Sequence, residues 1–237
     1  MYSGLDTSRF RPIPKFEARA HLSRIGILPV DLQKGRILLY RCVIGPAYGL
    51  SDLVKVFSAQ SEGRLVLLLV GDGEHREMIQ EQVERSGTNR VILVRSRPRE
   101  ELPMFINAAD FCLIPSMDVE ISAYAVPTKL FEYLACGRPV ACTDLHGIVP
   151  ALIIESGAGV VADLGELTKI LSKLDEGEVE SMGKKARLVS DQFSIESISK
   201  KMKAIVQDLL NSESEDDSQL WRETGRTRTQ VATFETQ

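Results

Sequence analysis

Residues 65–87, LVLLLVGDGEHREMIQEQVERSG, join an unbroken apolar run to a longer stretch with a helical pattern. The run offers no polar side chain to a solvent face, and strands of that kind are buried on both faces in parallel sheets covered by helices. Glycines follow the run, after which apolar residues recur at helical spacing. This stretch predicts a strand, a tight turn and a helix that packs back on the sheet.

The same pairing of a short apolar run with a helical stretch recurs along the chain. The other pairs are ILLYRCV with LSDLVKVFSA, RVILV with REELPMFINAA, DFCLIP with TKLFEYLACG, and RPVACTD with IVPALIIESG. Strands that alternate with helices indicate a doubly wound α/β domain with a parallel, Rossmann-like sheet. We predict this domain, with C-terminal helices, over residues 35–210, after an inter-domain lead-in at 1–34 and before a disordered polar tail at 211–237.

Composition excludes several classes of protein. The 237 residues carry a formal net charge of -4, which gives no basic footprint for nucleic acid. No apolar run approaches the roughly 20 residues that cross a bilayer, and the first residues lack the apolar core of a signal peptide. A group of basic residues near the start is interpreted as part of a solvated linker: Arg9, Arg11, Lys15, Arg19 and Arg24.

The four cysteines have no metal-ligand spacing, and most of them lie in apolar stretches: Cys42, Cys112, Cys136 and Cys142. Cysteine behaves there as a small hydrophobe, so we expect reduced thiols and a cytoplasmic protein. No cluster of carboxylates suits a divalent metal, and we expect none to be bound.

Ligands of an open parallel sheet bind beyond the carboxyl ends of its strands, where the first N–H groups of helices are unpaired. Three strand-to-helix joints have the composition of such a site. Gly45 and Gly49 bracket the first, in RCVIGPAYGLSDL, and Gly71 and Gly73 lie in the second, VGDGEHRE. The third, at residues 127–129, places Pro, Thr and Lys at the positive end of a helix dipole.

The helix after Pro127 combines an apolar stripe with polar side chains. Lys129 and Glu132 are offset from that stripe and, being three residues apart, project towards the same side. One reading is a solvated surface ion pair; the other gives Lys129 a phosphate and Glu132 a pair of sugar hydroxyls. The helix is expected to end at Gly137, which suits a left-handed C-terminal stop.

The segment PTKLFEYLACGRPVACTD closely resembles the donor-site helix of GT-B retaining glycosyltransferases of family 4, the glycosyl transferases group 1 domain. VGDGEHREMI is similar to the strand, turn and helix around the family's Val-Gly-x-Gly, and REELPMFINAADFCLIPS to its helix and strand ending in Pro-Ser. ILLYRCVIGPAYGLSDLV resembles the family's first strand and Gly-rich turn, and MYSGLDTSRFRP its inter-domain stretch. Together these likenesses cover nearly all of residues 1–210.

The resemblance implies the C-terminal, donor-binding half of a glycosyltransferase that acts in polysaccharide biosynthesis. Such a domain binds a nucleotide-diphospho-sugar without a metal or other cofactor. The acceptor would be held by an N-terminal domain, which is expected outside this chain and through which the protein would associate peripherally with membranes.

Roles for individual residues follow from the same resemblance. Lys129 and Glu132 would be the catalytic residues, with Glu132 also accepting bonds from the ribose hydroxyls. Thr128 and Lys129 would hold the diphosphate, and Glu120 would lie near the sugar, although the glutamate of the family's Glu-x7-Glu pair matches Tyr124 here. The full set of residues expected to bind the nucleotide-sugar is Arg41, Gly45, Gly49, Gly71, Gly73, Glu120, Thr128, Lys129, Leu130 and Glu132.

The chain departs from the family pattern at the cations expected against the diphosphate. The first turn carries Cys42, Val43, Tyr48 and Gly49 where the family commonly has Gly-Arg and Lys-Gly, so Arg41 or Lys129 would have to compensate. A Gly common after the third strand is replaced by Arg95. Three other readings therefore stay open: a nucleotide-sugar-binding module without transfer activity, a truncated gene product, and a distant sugar-nucleotide epimerase.

Overall fold

The computed structural model of the protein describes residues 5–46, 49–59, 65–115, 126–143 and 146–208. Across these residues, six parallel strands form a sheet in the order β3-β2-β1-β4-β5-β6. The strands are β1 (Arg36–Val43), β2 (Leu65–Asp72), β3 (Val91–Val94), β4 (Phe111–Ile114), β5 (Val140–Cys142) and β6 (Gly159–Val161). This order confirms the predicted Rossmann-like, doubly wound sheet. The prediction included every strand but β6.

Helices connect the strands and extend beyond the sheet. They are α1 (Lys15–Arg24), α2 (Leu50–Ser58), α3 (Arg76–Ser86), α4 (Leu102–Ala108), α5 (Thr128–Ala135), α6 (Ile148–Ser156), α7 (Leu164–Lys173) and α8 (Glu176–Asp191), with a short 3-10 helix at Val30–Leu32. Residues 195–208 are also helical. None of these described helices is both long enough and apolar enough to cross a membrane. The predicted polar tail, 211–237, lies outside the described residues.

The sheet separates two hydrophobic clusters, because successive side chains of a strand point to opposite faces. On β1, Ile37 and Leu39 belong to one cluster while Leu38 and Tyr40 belong to the other. Helices α1, α4, α5 and α6 contribute to the first cluster, and α2, α3 and α7 contribute to the second. Both faces of the sheet are thus covered, as the continuously apolar strands require.

The predicted lead-in packs against the sheet domain. Phe10 and Leu22 are fully buried in the first cluster. Arg19, in α1, is buried as well, and its Nη2 lies 2.5 Å from Oδ2 of Asp110, at the start of β4. The interpretation of this basic group as solvated is therefore wrong for Arg19, since the fold places a buried carboxylate beneath α1.

Helix α8 fixes the C-terminal end of α5. Asp175 and Glu178 form a reciprocal capping box at the start of α8. A Cβ built at Gly183 would lie only 2.6 Å from the carbonyl oxygen of Gly137, so the two backbones can approach this closely only with glycine at 183. Gly137 itself has φ +65° and ends α5, as predicted. Helix α5 is thereby held with its N-terminus at the carboxyl edge of the sheet.

Candidate functional site

A cavity of about 420 Å³ opens at the carboxyl edge of the sheet, near the point where the strand order reverses between β1 and β4. The ends of β1 and β2, the loop after β3 and the start of α5 form its walls. Its lining residues are Arg41, Cys42, Val43, Val70, Gly71, Ser96, Arg97, Leu102, Pro127, Thr128 and Lys129. Open α/β sheets bind ligands at this position.

The start of α5 faces this cavity. Pro127 is its N-cap residue, Thr128 is exposed, and no side chain within the described ranges caps the first turn. From Leu130 to Ala135 every residue of α5 is buried. The helix begins with polar residues because only its first turn reaches the cavity. Its dipole and first N–H groups favour an anion there.

Lys129 is held in place at the cavity wall. Its Nζ donates a hydrogen bond of 3.0 Å to the carbonyl oxygen of Arg41 and lies 4.8 Å from the centre of the Tyr40 ring. Partial burial lowers the pKa of Lys129 to about 8. The ammonium group is therefore still charged at neutral pH, and it points along a fixed direction.

Glu132 lies one turn further into α5, with 2% of its surface exposed. Its Oε2 accepts from Nη2 of Arg41, and its Oε1 lies 3.3 Å from Nη2 of Arg99. Burial raises the pKa of Glu132, although both guanidinium groups act in the opposite direction. The reading of Lys129 and Glu132 as a solvated surface pair is wrong for this carboxylate. Both side chains do project to the same side, since each contacts Arg41.

Arg41 connects β1 to α5. Its backbone N–H donates to Oη of Tyr133 at 3.2 Å, and burial raises the pKa of that phenol. The side chain turns towards Glu132 and also lines the cavity, while its buried Nε has no hydrogen-bond partner in the part of the chain that the structure describes. The structure thus brings Arg41, Lys129 and Glu132 together, as the predicted compensation for missing cations requires.

Two arginines of the loop after β3 complete this side of the cavity, and neither is among the residues predicted to bind a ligand. Arg97 lines the cavity, and Arg99 contacts Glu132 while its Cζ lies 5.5 Å from the centre of the Phe10 ring. The signal in the sequence is an arginine at every second position, 95, 97 and 99, directly after an apolar strand. That pattern places several cations at the carboxyl edge.

The predicted glycines occupy different places. Gly71 lines the cavity, and a Cβ there would lie 1.9 Å from the carbonyl oxygen of Cys42, so only glycine allows β1 and β2 to approach this closely. Gly73 lies in a neighbouring cavity of about 650 Å³. Gly49, with φ +57°, is the N-cap residue of α2. Neither Gly45 nor Gly49 is among the described residues that line the 420 Å³ cavity, and their phosphate-binding roles stay predictions.

Other predicted residues also differ in position. The side chain of Leu130 is fully buried in the hydrophobic core, so any ligand contact would come from its backbone. Glu120 and Tyr124 lie outside the described residues. Arg95 stands where the family carries a glycine. Its side chain is 74% exposed, and its Nη1 lies 3.4 Å from Oδ2 of Asp72.

The end of β1 supplies no positive charge beyond Arg41. Val43 is exposed, and burial raises the pKa of the Cys42 thiol to about 11, which keeps it neutral at physiological pH. Within the described residues, no group of His, Cys, Asp and Glu side chains is arranged to hold a metal ion. Cationic side chains and the start of α5 are the features that this cavity offers to a ligand.

Comparison with known proteins gives matches over most of this domain. A family model described as glycosyl transferases group 1 matches residues 36–176. The chain is 26% identical over 174 residues to 2-deoxystreptamine N-acetyl-D-glucosaminyltransferase from Streptomyces fradiae, which covers 67% of this chain and 37% of that enzyme. The chain thus aligns with little more than a third of this relative.

Solved structures share the fold. The crystal structure of Anabaena Alr3699/HepE in complex with UDP and glucose superposes with a TM-score of 0.71 and 19% identity, over 87% of this chain and 56% of that chain. The C-terminal domain of a glycosyl transferase group 1 family protein, LpcC from Francisella tularensis, gives a TM-score of 0.60 and 16% identity, over 81% of this chain and 100% of that chain. These likenesses confirm the predicted Rossmann-like domain of GT-B type.

Proposed function

The chain belongs to the group 1 glycosyltransferase family, and we propose that it forms the donor-binding half of a retaining, metal-independent glycosyltransferase. The donor would be a nucleotide-diphospho-sugar bound in the 420 Å³ cavity. Bound UDP in the structurally similar Anabaena protein supports this ligand class. The role in polysaccharide biosynthesis stays a prediction.

One observation carries the proposal: the cavity wall combines Arg41, Arg97 and Lys129 with the start of α5, which no described side chain caps. No carboxylate is among the described lining residues. A diphosphate carries the complementary charge, and helix N-termini and arginine side chains are both suited to phosphate oxygens.

Glu132 would bind the ribose of the donor. Its carboxylate accepts hydrogen bonds through two oxygens, of which Oε1 faces Arg99 at 3.3 Å. The side chain of Arg99 is 54% exposed, so water can solvate it when it moves away. We expect ribose hydroxyls to replace Arg99 at Oε1 while Arg41 keeps its contact with Oε2.

In the transfer step, the acceptor hydroxyl would bond to the anomeric carbon on the face from which the diphosphate departs. The bond between that carbon and the diphosphate oxygen would break, and the hydroxyl proton would pass to the departing diphosphate. Lys129 and Arg41 would stabilise the negative charge on the leaving diphosphate, which is an electrostatic contribution to catalysis. Holding the acceptor hydroxyl in place contributes on the order of 7 to 11 kcal/mol in well-oriented reactions. We propose that a separate acceptor domain, facing the carboxyl edge of the sheet, provides this positioning.

A thermal-shift screen against UDP-, GDP- and ADP-sugars, followed by calorimetry, tests donor binding. A ligand that binds only the folded state raises the melting temperature. We expect one nucleotide class to bind in the micromolar-to-millimolar range and Lys129→Ala to remove most of that binding. Lys169→Ala, an exposed position on α7, is the matched control and should bind as the parent does. No shift with any of the three classes would refute donor binding.

A transfer assay separates the enzyme from a binding module. We expect no sugar transfer by this chain alone and transfer once an acceptor domain of the same family is added. Transfer by the 237-residue chain alone, lost in Lys129→Ala, would contradict the half-enzyme proposal. Donor binding without transfer in either case would instead favour the non-catalytic module.

A further inference from the structure

We propose that Arg97 is a phosphate-binding residue of this cavity and supplies positive charge that the end of β1 does not. This inference rests on the proposed donor site and adds a residue that neither the family resemblance nor the sequence pattern selected. The ligand group it would bind is the diphosphate of the nucleotide-sugar.

The surroundings of Arg97 indicate an absent partner. Its side chain is 33% exposed, yet its Nε is buried and has no hydrogen-bond acceptor among the described residues. Glu101, four residues further on, forms an ion pair with Nη1 at 3.8 Å, a distance too long for a hydrogen bond. Buried polar groups are almost always paired, and Nε of Arg41, in the same cavity wall, is unpaired as well. Two guanidinium groups of one wall thus keep a donor that an anionic ligand can satisfy once the side chain turns towards the cavity.

The charge balance of the cavity leads to the same conclusion. Among the described lining residues, Arg41, Arg97 and Lys129 are cationic and none is acidic. Two carboxylates lie against these arginines: Glu132 pairs with Arg41 and Arg99, and Glu101 pairs with Arg97. Four cations therefore face two carboxylates, and a net positive charge of two remains on this side of the cavity. Two positive charges match the two phosphates of a diphosphate.

The position of Arg97 suits a group that spans the cavity. Lys129 comes from α5, on the side of β1, whereas Arg97 follows β3, which lies beyond β2 in the sheet. The two cations therefore approach from opposite sides, and Gly71, at the end of the intervening β2, lines the cavity without a side chain. An arginine suits this position better than a lysine, because its planar guanidinium group can bind two phosphate oxygens at once.

Calorimetry with Arg97→Gln, Arg97→Lys and Arg95→Gln tests this assignment. Arg95 is the matched control: it lies in the same loop but lines the neighbouring cavity. The ligands are inorganic pyrophosphate and whichever of UDP, GDP and ADP binds the parent most tightly. We expect Arg97→Gln to weaken pyrophosphate and nucleotide by the same factor, about tenfold for one lost charge-assisted contact. Arg97→Lys should weaken both ligands by a smaller factor, and Arg95→Gln should change neither affinity by more than about twofold.

Three outcomes would overturn the inference. The first is unchanged affinity in Arg97→Gln. The second is a loss for the nucleotide alone, which would place Arg97 against the base. The third is a parent that does not bind pyrophosphate. If Arg97→Gln does not fold, Arg97→Lys replaces it, and parental affinity in that variant would refute the bidentate contact. Failure of the donor site is distinguishable, because nucleotide-sugars would not bind while pyrophosphate binding could still depend on Arg97.

Discussion

Replacing Glu132 by Gln and by Ala separates charge from packing at the centre of the site. Glutamine keeps the shape of the side chain and one acceptor oxygen but removes the negative charge. Alanine removes the whole carboxyl group, leaves a cavity where the side chain packs against its neighbours, and leaves Arg41 without its acceptor. Because Glu132 is 2% exposed, both variants act on a buried position.

The contacts of the carboxylate set the expected magnitudes. Its pair with the half-exposed Arg99 contributes under about 1 kcal/mol, and its charge-assisted bond to Arg41 contributes about 1.5 to 3 kcal/mol. Against this stands the desolvation of a buried carboxylate, which costs several kcal/mol. The raised pKa of Glu132 indicates that burial outweighs the attraction of the two arginines. We therefore expect Glu132→Gln to change the free energy of unfolding at pH 7 by less than about 1 kcal/mol, and Glu132→Ala to lower it by about 2 to 4 kcal/mol.

The pH dependence follows from the sign of the shift. A carboxyl whose pKa is raised on folding stabilises the protein below its unfolded value of 4.5, and that contribution is lost as the pH rises through the folded pKa. The parent should thus be more stable relative to Glu132→Gln at pH 4 than at pH 7. Urea titrations at both values measure this difference. A Gln variant as unstable at pH 7 as the Ala variant would refute the reasoning, because charge rather than packing would then hold α5 in place.

The same variants report on the ligand. If Glu132 accepts two ribose hydroxyls, Glu132→Ala should weaken nucleotide-sugar binding by roughly 2 to 3 kcal/mol, and Glu132→Gln by less, since its amide oxygen still accepts one bond. Calorimetric affinities equal to that of the parent would remove Glu132 from the site.

Three further predictions concern other parts of the chain. Nucleotide binding should weaken as the pH rises through about 8, because Lys129, with a pKa of about 8, then loses its charge. Calorimetry at pH 7 and 9 should show this loss of affinity in the parent but not in Lys129→Arg. Equal affinity of the parent at both pH values would contradict this role. Asp110→Asn should lower the free energy of unfolding by about 3 kcal/mol, since the buried carboxylate lies 2.5 Å from both Lys15 Nζ and Arg19 Nη2. The exposed pair of Asp52 and Lys55 is its control, and Asp52→Asn should cost less than about 0.5 kcal/mol in the same urea titration; equal losses would show that burial does not matter. Deleting residues 212–237 should change the free energy of unfolding by less than about 1 kcal/mol, because this polar segment has too few apolar residues to offset the entropy of ordering it; a larger loss would place the tail on the domain.

The strands of the sheet were predictable where apolar runs are long enough to exclude a solvent face. The run from Leu65 onward allows no other arrangement than a strand covered on both sides. By contrast, β6 contains only Gly159–Val161, an apolar run too short to be recognised as a strand. Helix α1 was missed because just two of its apolar residues, Ala18 and Leu22, are buried, too few to produce a recognisable stripe.

The relative positions of site residues were predictable where spacing along one helix decides the geometry. Lys129 and Glu132 lie on the same side of α5 as their spacing requires. The sequence could not show that Arg41 lies between them, because that contact joins residues 91 positions apart, across β1 and α5. Arg97 and Arg99 were not predicted as site residues for the same reason, since only the order of the strands places the loop after β3 beside α5.

The order of the strands also protects the chain from self-association. The apolar run of β2 has the composition of segments that stack into fibrils, which need about six residues. In the sheet it is paired on both sides, by β1 and by β3. Among the described strands, the edges of the sheet are the four residues of β3 and the three residues of β6, which offer a neighbouring molecule only a short template. Partial unfolding that detaches β3 would uncover β2, so resistance to aggregation depends on the pairing of a single four-residue strand.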